Sequence, residues 1–173
     1  MSSLRLFHIS EEGDIQKFHP RKSKEQWGYH KYVWAIDEGK IHNYLLPRDC
    51  PRICIDLERT GDQLNWLKTF SIENHKAVIF ICYEWCEKIQ ACTLFQYEFG
   101  KRNFEPIDKV AGYFVSRMVE TPIQRFVIRN CEQELSRLNV KLIQLDRIKM
   151  LDIKEKVVKD LESFSIIKWE NFE

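Results

Sequence analysis

The sequence predicts an α+β fold: a single domain over residues 1–173 with a mixed, mostly antiparallel sheet of about six to eight strands and short helices packed on it. Three observations predict this fold. Short runs of β-branched and aromatic residues recur along the chain, and several alternate with polar residues as half-buried strands do. Brief segments with helical spacing of apolar residues lie between those runs. No internal repeat, low-complexity tract or clear linker interrupts the pattern.

In the first half of the chain each predicted element has a local signal. Asp37 can cap a helix, and Pro47 must end that helix because proline lacks the N–H group that a helix interior needs. Apolar residues at every second position from Ile53 indicate a half-buried strand. Pro, Gly and basic residues in 19–29 favour a loop. We therefore predict strands over residues 4–9, 32–36 and 53–57, and helices over 38–46 and 64–69.

The second half carries the clearest strand signals. Residues 77–82 form a continuous apolar run, which predicts a central strand covered on both faces. Residues 91–99 alternate between two sets of side chains, which predicts a further strand. Asn130 can cap a helix that follows it. The remaining predictions are strands over 112–116, 123–128, 140–145 and 164–169, and helices over 83–89 and 151–161.

Charge and hydropathy exclude several classes of protein. The chain has 27 basic and 26 acidic residues and a formal net charge of +1, so there is no strong signal for nucleic-acid binding. No apolar run approaches the ~20 residues that cross a bilayer, and the N-terminus lacks a signal-peptide stretch. We expect a cytoplasmic protein with no membrane partner, whose six cysteines stay reduced.

The motifs of the easily recognised enzyme classes are missing from the sequence. There is no GxGxxG, phosphate-binding GKS/T loop, HExxH or GxSxG. The cysteines include two CxxxC spacings, which on strands or across a proline turn do not assemble a tetrahedral zinc site, so we predict no metal site. Cys50, beside Arg48 and Arg52, is the one cysteine with the cationic neighbours of a nucleophile. The favoured alternative is a small residue packed between two prolines.

Two pairs of polar residues are candidates for binding a ligand. His8 and Ser10 stand two positions apart on a predicted strand, so the imidazole and the hydroxyl project from one face. Arg48 and Arg52 could bind a phosphate or carboxylate with paired hydrogen bonds. A structural histidine, and arginines paired with neighbouring acidic residues, are the alternatives.

The blocks LFHIS, VWAIDE, YLLPRDCPR, FQYEF and GYFVS, in that order, resemble a family of small uncharacterised bacterial proteins. The resemblance spans most of the chain, and YLLPRDCPR is its most distinctive block. It implies a single cytosolic domain and brings no established activity with it.

A second resemblance is to the ADP-ribosyltransferase-like fold, which includes NAD-using transferases and RNA 2′-phosphotransferases. Those proteins often begin with a strand that carries a histidine followed two positions later by Ser or Thr, which is the pattern of His8 and Ser10. The resemblance also implies an aromatic side chain that stacks on nicotinamide and a glutamate on a later strand. The counterparts by position are Tyr32 or Trp34 for the aromatic, and Glu120 or Glu98 for the glutamate.

Two hypotheses of function follow. In the first, the chain is an NAD- or nucleotide-binding transferase-like domain, with His8 and Glu120 as catalytic candidates and NAD as the candidate cofactor. His8 and Ser10 would hold a ribose, while an aromatic side chain, Trp34 or Tyr32, would stack on a base. Arg48 or Arg52 would meet a pyrophosphate. In the second, the chain is a non-catalytic ligand- or protein-binding domain, and its proline-bracketed loop is structural.

Overall fold

The computed structural model describes residues 4–22, 30–60 and 64–172. Its contacts divide the chain into two compact units, which are described one at a time. Unit 1 comprises Met1–Ile41 and Thr93–Arg129, and unit 2 comprises His42–Cys92 and Asn130–Glu173. That the two units form one domain over residues 1–173 stays a prediction.

The described residues form eleven strands and five α-helices. The strands are β1 (Leu6–Ser10), β2 (Arg21–Lys22), β3 (Lys31–Asp37), β4 (Arg52–Asp56), β5 (Ala77–Cys82), β6 (Leu94–Phe99), β7 (Glu105–Asp108), β8 (Tyr113–Ser116), β9 (Gln124–Ile128), β10 (Val140–Leu145) and β11 (Phe164–Ile167). The helices are α1 (Leu57–Thr60), α2 (Asn65–Lys68), α3 (Cys86–Ala91), α4 (Cys131–Arg137) and α5 (Arg147–Asp160). No helix in this described part of the chain has the length and apolar character of a membrane span.

Unit 1 is built on an antiparallel sheet with the strand order β7-β8-β3-β1-β6-β9, and β2 pairs with β3 beside that path. In the register between β1 and β6, His8 lies opposite Tyr97 and Ser10 opposite Phe95. Between β1 and β3 the recorded pairs are Leu6 with Asp37 and Phe7 with Ile36. β1 therefore pairs with β6 along its whole length, from Leu6 to Ser10, but with β3 only at Leu6 and Phe7.

One face of this sheet carries a hydrophobic cluster of unit 1. Side chains alternate between the faces of a strand, so Leu6, His8 and Ser10 share one face. We call it the Phe18 face, because Phe18 packs against it. Its buried core consists of Leu6, Phe18, Val33, Ala35, Tyr97, Phe99, Phe104 and Phe114.

The segment that follows β1 is fixed over the Phe18 face by specific bonds. The hydroxyl of Tyr97 donates to the main-chain oxygen of Glu12 at 2.8 Å and accepts from the N–H of Ile15 at 3.2 Å. A Cβ atom at Gly13 would lie 2.5 Å from the ring of Phe95, so any side chain there would displace that ring. Phe18 ends the segment by exchanging two main-chain hydrogen bonds with Glu120, at 2.8 and 3.0 Å.

Unit 2 is built on a sheet with the order β10-β5-β4-β11, in which β10 runs parallel to β5 and the other pairs are antiparallel. All six residues of β5 are buried, which confirms the predicted central strand covered on both faces. Met150, Ile153 and Val157 of α5 pack into the core with residues of β4 and β5. The side chain of Asn130 caps α4 as predicted, by accepting from the N–H of Gln133 at 2.9 Å.

The α+β class, with mostly antiparallel strands and short helices, is confirmed, and the strands are divided between two sheets. Some predicted boundaries are wrong. The helix predicted over 38–46 is a 3-10 turn at Ile41–Tyr44, because Asp37 still belongs to β3 and its carboxylate caps only the turn at Lys40, 3.0 Å away. The loop predicted over 19–29 contains β2, and its residues 23–29 lie outside the described residues.

Candidate functional site

His8 lies in β1 and reaches across to the neighbouring strand. Its Nδ1 is 2.9 Å from the main-chain oxygen of Trp34. Because a carbonyl oxygen can only accept, Nδ1 must carry the hydrogen, and Nε2 is then the acceptor nitrogen of the neutral ring. The ring also packs on Phe18, with the two centroids 4.9 Å apart. This bond and this packing hold the imidazole in one orientation.

Glu120 is a buried carboxylate with polar support. It is 8% exposed, and its Oε1 accepts from the hydroxyl of Ser116 at 2.5 Å. Its Oε2 accepts a longer bond from the side-chain amide of Asn103 at 3.5 Å. These donors offset part of the cost of burying a carboxylate. Oε2 therefore has the weaker of the two partners.

Phe18 brings the two catalytic candidates into one neighbourhood. Its ring contacts the ring of His8, and its main chain pairs with that of Glu120. Ser116, which bonds to Glu120, lies opposite Val33 in the register and so shares the Phe18 face with His8. His8 and Glu120 are far apart in the sequence, and Phe18 and Ser116 link them in the structure.

Ser10 stands on the same face, at the end of β1. Its hydroxyl oxygen accepts from the N–H of Glu12 at 3.0 Å and so closes the turn that follows the strand. A hydroxyl that accepts in this way can still donate its own hydrogen. Ser10 thus has a local structural role and keeps the capacity to donate to a ligand.

Trp34 and Tyr32 do not share that face. They alternate along β3 with Val33 and Ala35, which belong to the core under Phe18, so their rings project to the opposite side of the sheet. The ring of Trp34 instead contacts Tyr32 at 6.0 Å and Tyr113 at 5.9 Å, both edge-on. A base stacked on Trp34 would therefore lie on the far side of the sheet from the imidazole of His8.

Glu98, the other glutamate candidate, is held in an ion pair. Arg5 donates to both of its carboxylate oxygens, from Nε at 3.0 Å and from Nη2 at 2.8 Å. These hydrogen bonds hold the pKa of Glu98 below its usual range. Glu98 lies opposite Phe7 in the register, on the face away from His8. Glu120 is therefore the glutamate that the structure associates with the candidate histidine.

In unit 2, Arg52 is part of the structure of the proline-bracketed loop. It is only 2% exposed, and its Nη1 donates to the main-chain oxygens of Pro47 at 3.0 Å and Cys50 at 3.3 Å. Its guanidinium lies 5.9 Å from the ring centroid of Tyr44. These contacts favour a structural Arg52 over the predicted phosphate ligand, with carbonyl oxygens in place of the acidic partners considered above. Arg48 is exposed, and its ligand role stays a prediction.

The buried position of Cys50 argues against a nucleophile. Burial raises the pKa of its thiol to about 12, although the nearby charge of Arg52 acts in the opposite direction. Such a thiol carries almost no thiolate at neutral pH, so packing between the prolines is the better account of Cys50. Among residues 4–22, 30–60 and 64–172, no group of three or more His, Cys, Asp or Glu side chains could hold a metal ion.

Unit 2 also carries a shallow groove beside β10. It has a volume of about 450 Å³ and is lined by Phe70, Tyr83 and the four residues 141–144 of the strand. Residues 141–144 are half-buried, and Tyr83 is 59% exposed. The groove therefore has few of the buried polar groups that fix the orientation of a small ligand.

The sequence did not identify Phe18, Ser116 or Asn103 as neighbours of the candidate residues. Alternation along 112–116 predicts that Ser116 shares a face with Phe114, but it does not say which strands lie beside it. The short apolar segment that ends at Phe18 carried no strand signal, and its pairing with Glu120 is a single bridge. These contacts depend on strand order, which the local pattern leaves open.

A family model matches residues 7–172, and it describes a family of unknown function, DUF6886. The match agrees with the resemblance of the sequence blocks to an uncharacterised family. Comparisons with curated proteins and with solved structures gave no match.

Proposed function

Because the chain belongs to DUF6886, a family of unknown function, its role has to be inferred from its own side chains, and we propose that it binds NAD or a related nucleotide through the ribose as a transferase-like domain. The proposed site is the part of the Phe18 face where His8 and Glu120 flank Phe18. The observation that carries the proposal is the contact of both residues with Phe18.

The polar groups of this site suit the hydroxyls of a ribose. The Nε2 of a neutral His8 can accept a hydrogen from one hydroxyl, and Ser10 can donate to an oxygen. The carboxylate of Glu120 can accept from a further hydroxyl, and a charged acceptor makes a stronger hydrogen bond than a neutral one. Oε2 would serve that role, since its present bond to Asn103 is the longer one.

The same carboxylate gives the site a possible chemistry. When the bond between C1′ of a ribose and nicotinamide breaks, the electron pair leaves with nicotinamide and positive charge develops on the ribose. A fixed carboxylate beside the ribose lowers the free energy of that transition state. A nucleophilic acceptor then forms the new bond at C1′ and loses a proton. Glu120 is the residue that we assign to this step, and His8 orients the ribose.

The second candidate function is a non-catalytic binding domain, and two observations favour it. Glu120 already accepts a 2.5 Å bond from Ser116, as a structural carboxylate would. Arg52 is committed to the main-chain oxygens of its own loop, so that loop lacks one of its two predicted anion ligands. In this alternative a ligand binds without reacting.

A thermal-shift titration with NAD, ADP-ribose, AMP and nicotinamide tests the proposal. A ligand at roughly 100 times its Kd stabilises the folded state by about 2.7 kcal/mol, which raises Tm by about 5–10 °C in a chain of this size. We expect NAD and ADP-ribose to raise Tm, nicotinamide alone to have no effect, and His8→Gln to abolish the shift. His19→Gln is the matched control, because His19 is an exposed histidine of the same unit.

The outcomes separate the two functions. Release of nicotinamide from NAD, followed by chromatography and lost in Glu120→Gln, supports the transferase. A Tm shift without release supports the binding domain. If none of the four compounds raises Tm, or if His8→Gln responds as the wild type does, the proposed ribose site is wrong.

A further inference from the structure

Two cysteines of unit 2, Cys92 and Cys131, flank residues 93–129, which are the second of the two segments that form unit 1. The chain leaves unit 2 after Cys92 and returns to it at Asn130. Cys92 directly follows α3, and Cys131 is the first residue of α4. Helices α3 and α4 pack against each other, which brings the two ends of residues 93–129 together.

The two cysteines stand close together, because the strands that follow Cys92 and precede Cys131 pair to their ends, with Leu94 opposite Ile128. Burial, the larger cause, and the interaction with Cys92 raise the pKa of Cys131 to about 12. Their exposures differ. Cys131 is 1% exposed, whereas Cys92 is only half-buried. A small reagent can therefore reach Cys92 first, and Cys131 lies behind it.

We propose that Cys92 and Cys131 form a reversible disulfide that closes residues 93–129 into a covalent loop. The oxidant is a hydroperoxide. The thiolate of Cys92 attacks one peroxide oxygen, the O–O bond breaks, and Cys92 becomes a sulfenic acid while water or an alcohol leaves. Cys131 then loses its proton as its sulfur attacks the sulfur of Cys92, and the sulfenic oxygen leaves as water as the S–S bond forms. Two thiols are oxidised and one peroxide is reduced.

The other cysteines have less opportunity to react. Cys50, Cys54 and Cys82 are each at most 3% exposed in the region of β4 and β5. Burial raises the pKa of the Cys82 thiol to about 11, which lowers its thiolate population further. Cys86 is half-buried in α3, so it is the natural control for a reagent-accessible thiol that has no proposed partner.

The disulfide would change the stability of the chain. It would close a loop of about 40 residues, and loops of this size lose substantial entropy in the unfolded chain when their ends are joined. We expect the oxidised protein to melt about 5–10 °C higher than the reduced protein. The same bond would fix the distance between the point where the chain leaves unit 2, before residue 93, and the point where it returns, after residue 129.

The test treats the full chain with hydrogen peroxide and maps the products by mass spectrometry of intact protein and of peptides. We expect the loss of two hydrogens, a cross-linked peptide that contains Cys92 and Cys131, and full reversal by dithiothreitol. Cys131→Ser should stop oxidation at a sulfenic or sulfinic acid on Cys92, and Cys86→Ser should leave the cross-link intact. A cross-link between other cysteines, or over-oxidation of Cys92 in the wild type without a cross-link, would overturn the proposal.

Discussion

The imidazole of His8 donates from Nδ1 to the main-chain oxygen of Trp34, 2.9 Å away. His8 follows Phe7, the last residue of β1 that pairs with β3, so its side chain continues the contact between the two strands where their main-chain pairing stops. The bond fixes the tautomer of the ring as well as its position. It also means that His8 and Trp34 meet through the carbonyl of Trp34, while the indole ring lies on the other side of the sheet.

The tautomer of His8 is directly measurable. We expect the neutral ring to carry its hydrogen on Nδ1, because the carbonyl of Trp34 cannot donate. Long-range ¹H–¹⁵N correlation spectra distinguish the two ring nitrogens by their shifts. The exposed His19 serves as the reference for a ring without this bond. A hydrogen on Nε2 of His8 at high pH would contradict the geometry.

Removing the carboxylate of Glu120 should destabilise the fold. In Glu120→Ala the buried hydroxyl of Ser116 loses its acceptor, so we expect a cost of about 1–3 kcal/mol in the free energy of unfolding. Glu120→Gln keeps an acceptor oxygen and should cost less. Urea denaturation measures both variants. Equal stability of Glu120→Ala and the wild type would show that the bond to Ser116 contributes nothing.

Because of the ion pair between Arg5 and Glu98, we expect the free energy of unfolding to fall at acidic pH. Its hydrogen bonds lower the pKa of Glu98 in the folded state, so the folded state binds a proton less readily than the unfolded chain. The stabilisation is therefore fully present above the unfolded pKa of about 4.3 and is lost as pH falls through the lower, folded pKa. Because Arg5 is partly exposed, the contribution is about 0.5 kcal/mol.

Chemical denaturation at neutral and at acidic pH tests this sign. We expect Arg5→Met to lose less stability on acidification than the wild type does. Arg137→Met is the control, because it removes an exposed pair with Glu134 on the surface of α4 and should keep the acid response of the wild type. If the stability of Arg5→Met fell with pH as much as that of the wild type, the ion pair would not contribute to the pH dependence of stability.

The buried Arg52 should matter for stability far more than the exposed Arg48. Arg52→Met leaves the main-chain oxygens of Pro47 and Cys50 without their donor, and we expect a cost of about 1–3 kcal/mol. Arg48→Met changes an exposed side chain and should stay within about 0.5 kcal/mol. Thermal and urea unfolding of the two variants measures the difference. If Arg48→Met destabilised the protein more than Arg52→Met, the structural role of Arg52 would be wrong and Arg52 would again be a candidate for binding an anion.

Much of the secondary structure could be predicted, because its signals are local. The apolar run of β5 and the cap at Asn130 depend on neighbours in the chain, and both are found in the structure. The start of α5 was missed by four residues because its first turn is marked by the cap at Asp146, whereas Ile148 in that turn is 81% exposed and gives no amphipathic signal. The strand β7 contains Pro106 and lies at the edge of its sheet, where a proline is tolerated because no ladder hydrogen bond from its nitrogen is needed.

The candidate site depends on strand order, which the sequence did not supply. His8 and Ser10 share a face by simple alternation, and that part could be predicted. The choice between Glu120 and Glu98 could not be predicted. It depends on their partners in the fold, which are Ser116 for Glu120 and Arg5 for Glu98. Whether Trp34 shares a face with His8 could not be predicted either, because it depends on the register between the strands.

The most direct test of the proposed ribose site is the pattern of backbone amide shifts when ADP-ribose is added to the ¹⁵N-labelled protein. We predict that the shifts concentrate in β1, at Phe18 and between Ser116 and Glu120, and that His8→Gln removes them. His19→Gln should leave the pattern unchanged. Shifts confined to residues 141–144 of the groove in unit 2, or no shifts at saturating ADP-ribose, would contradict the site.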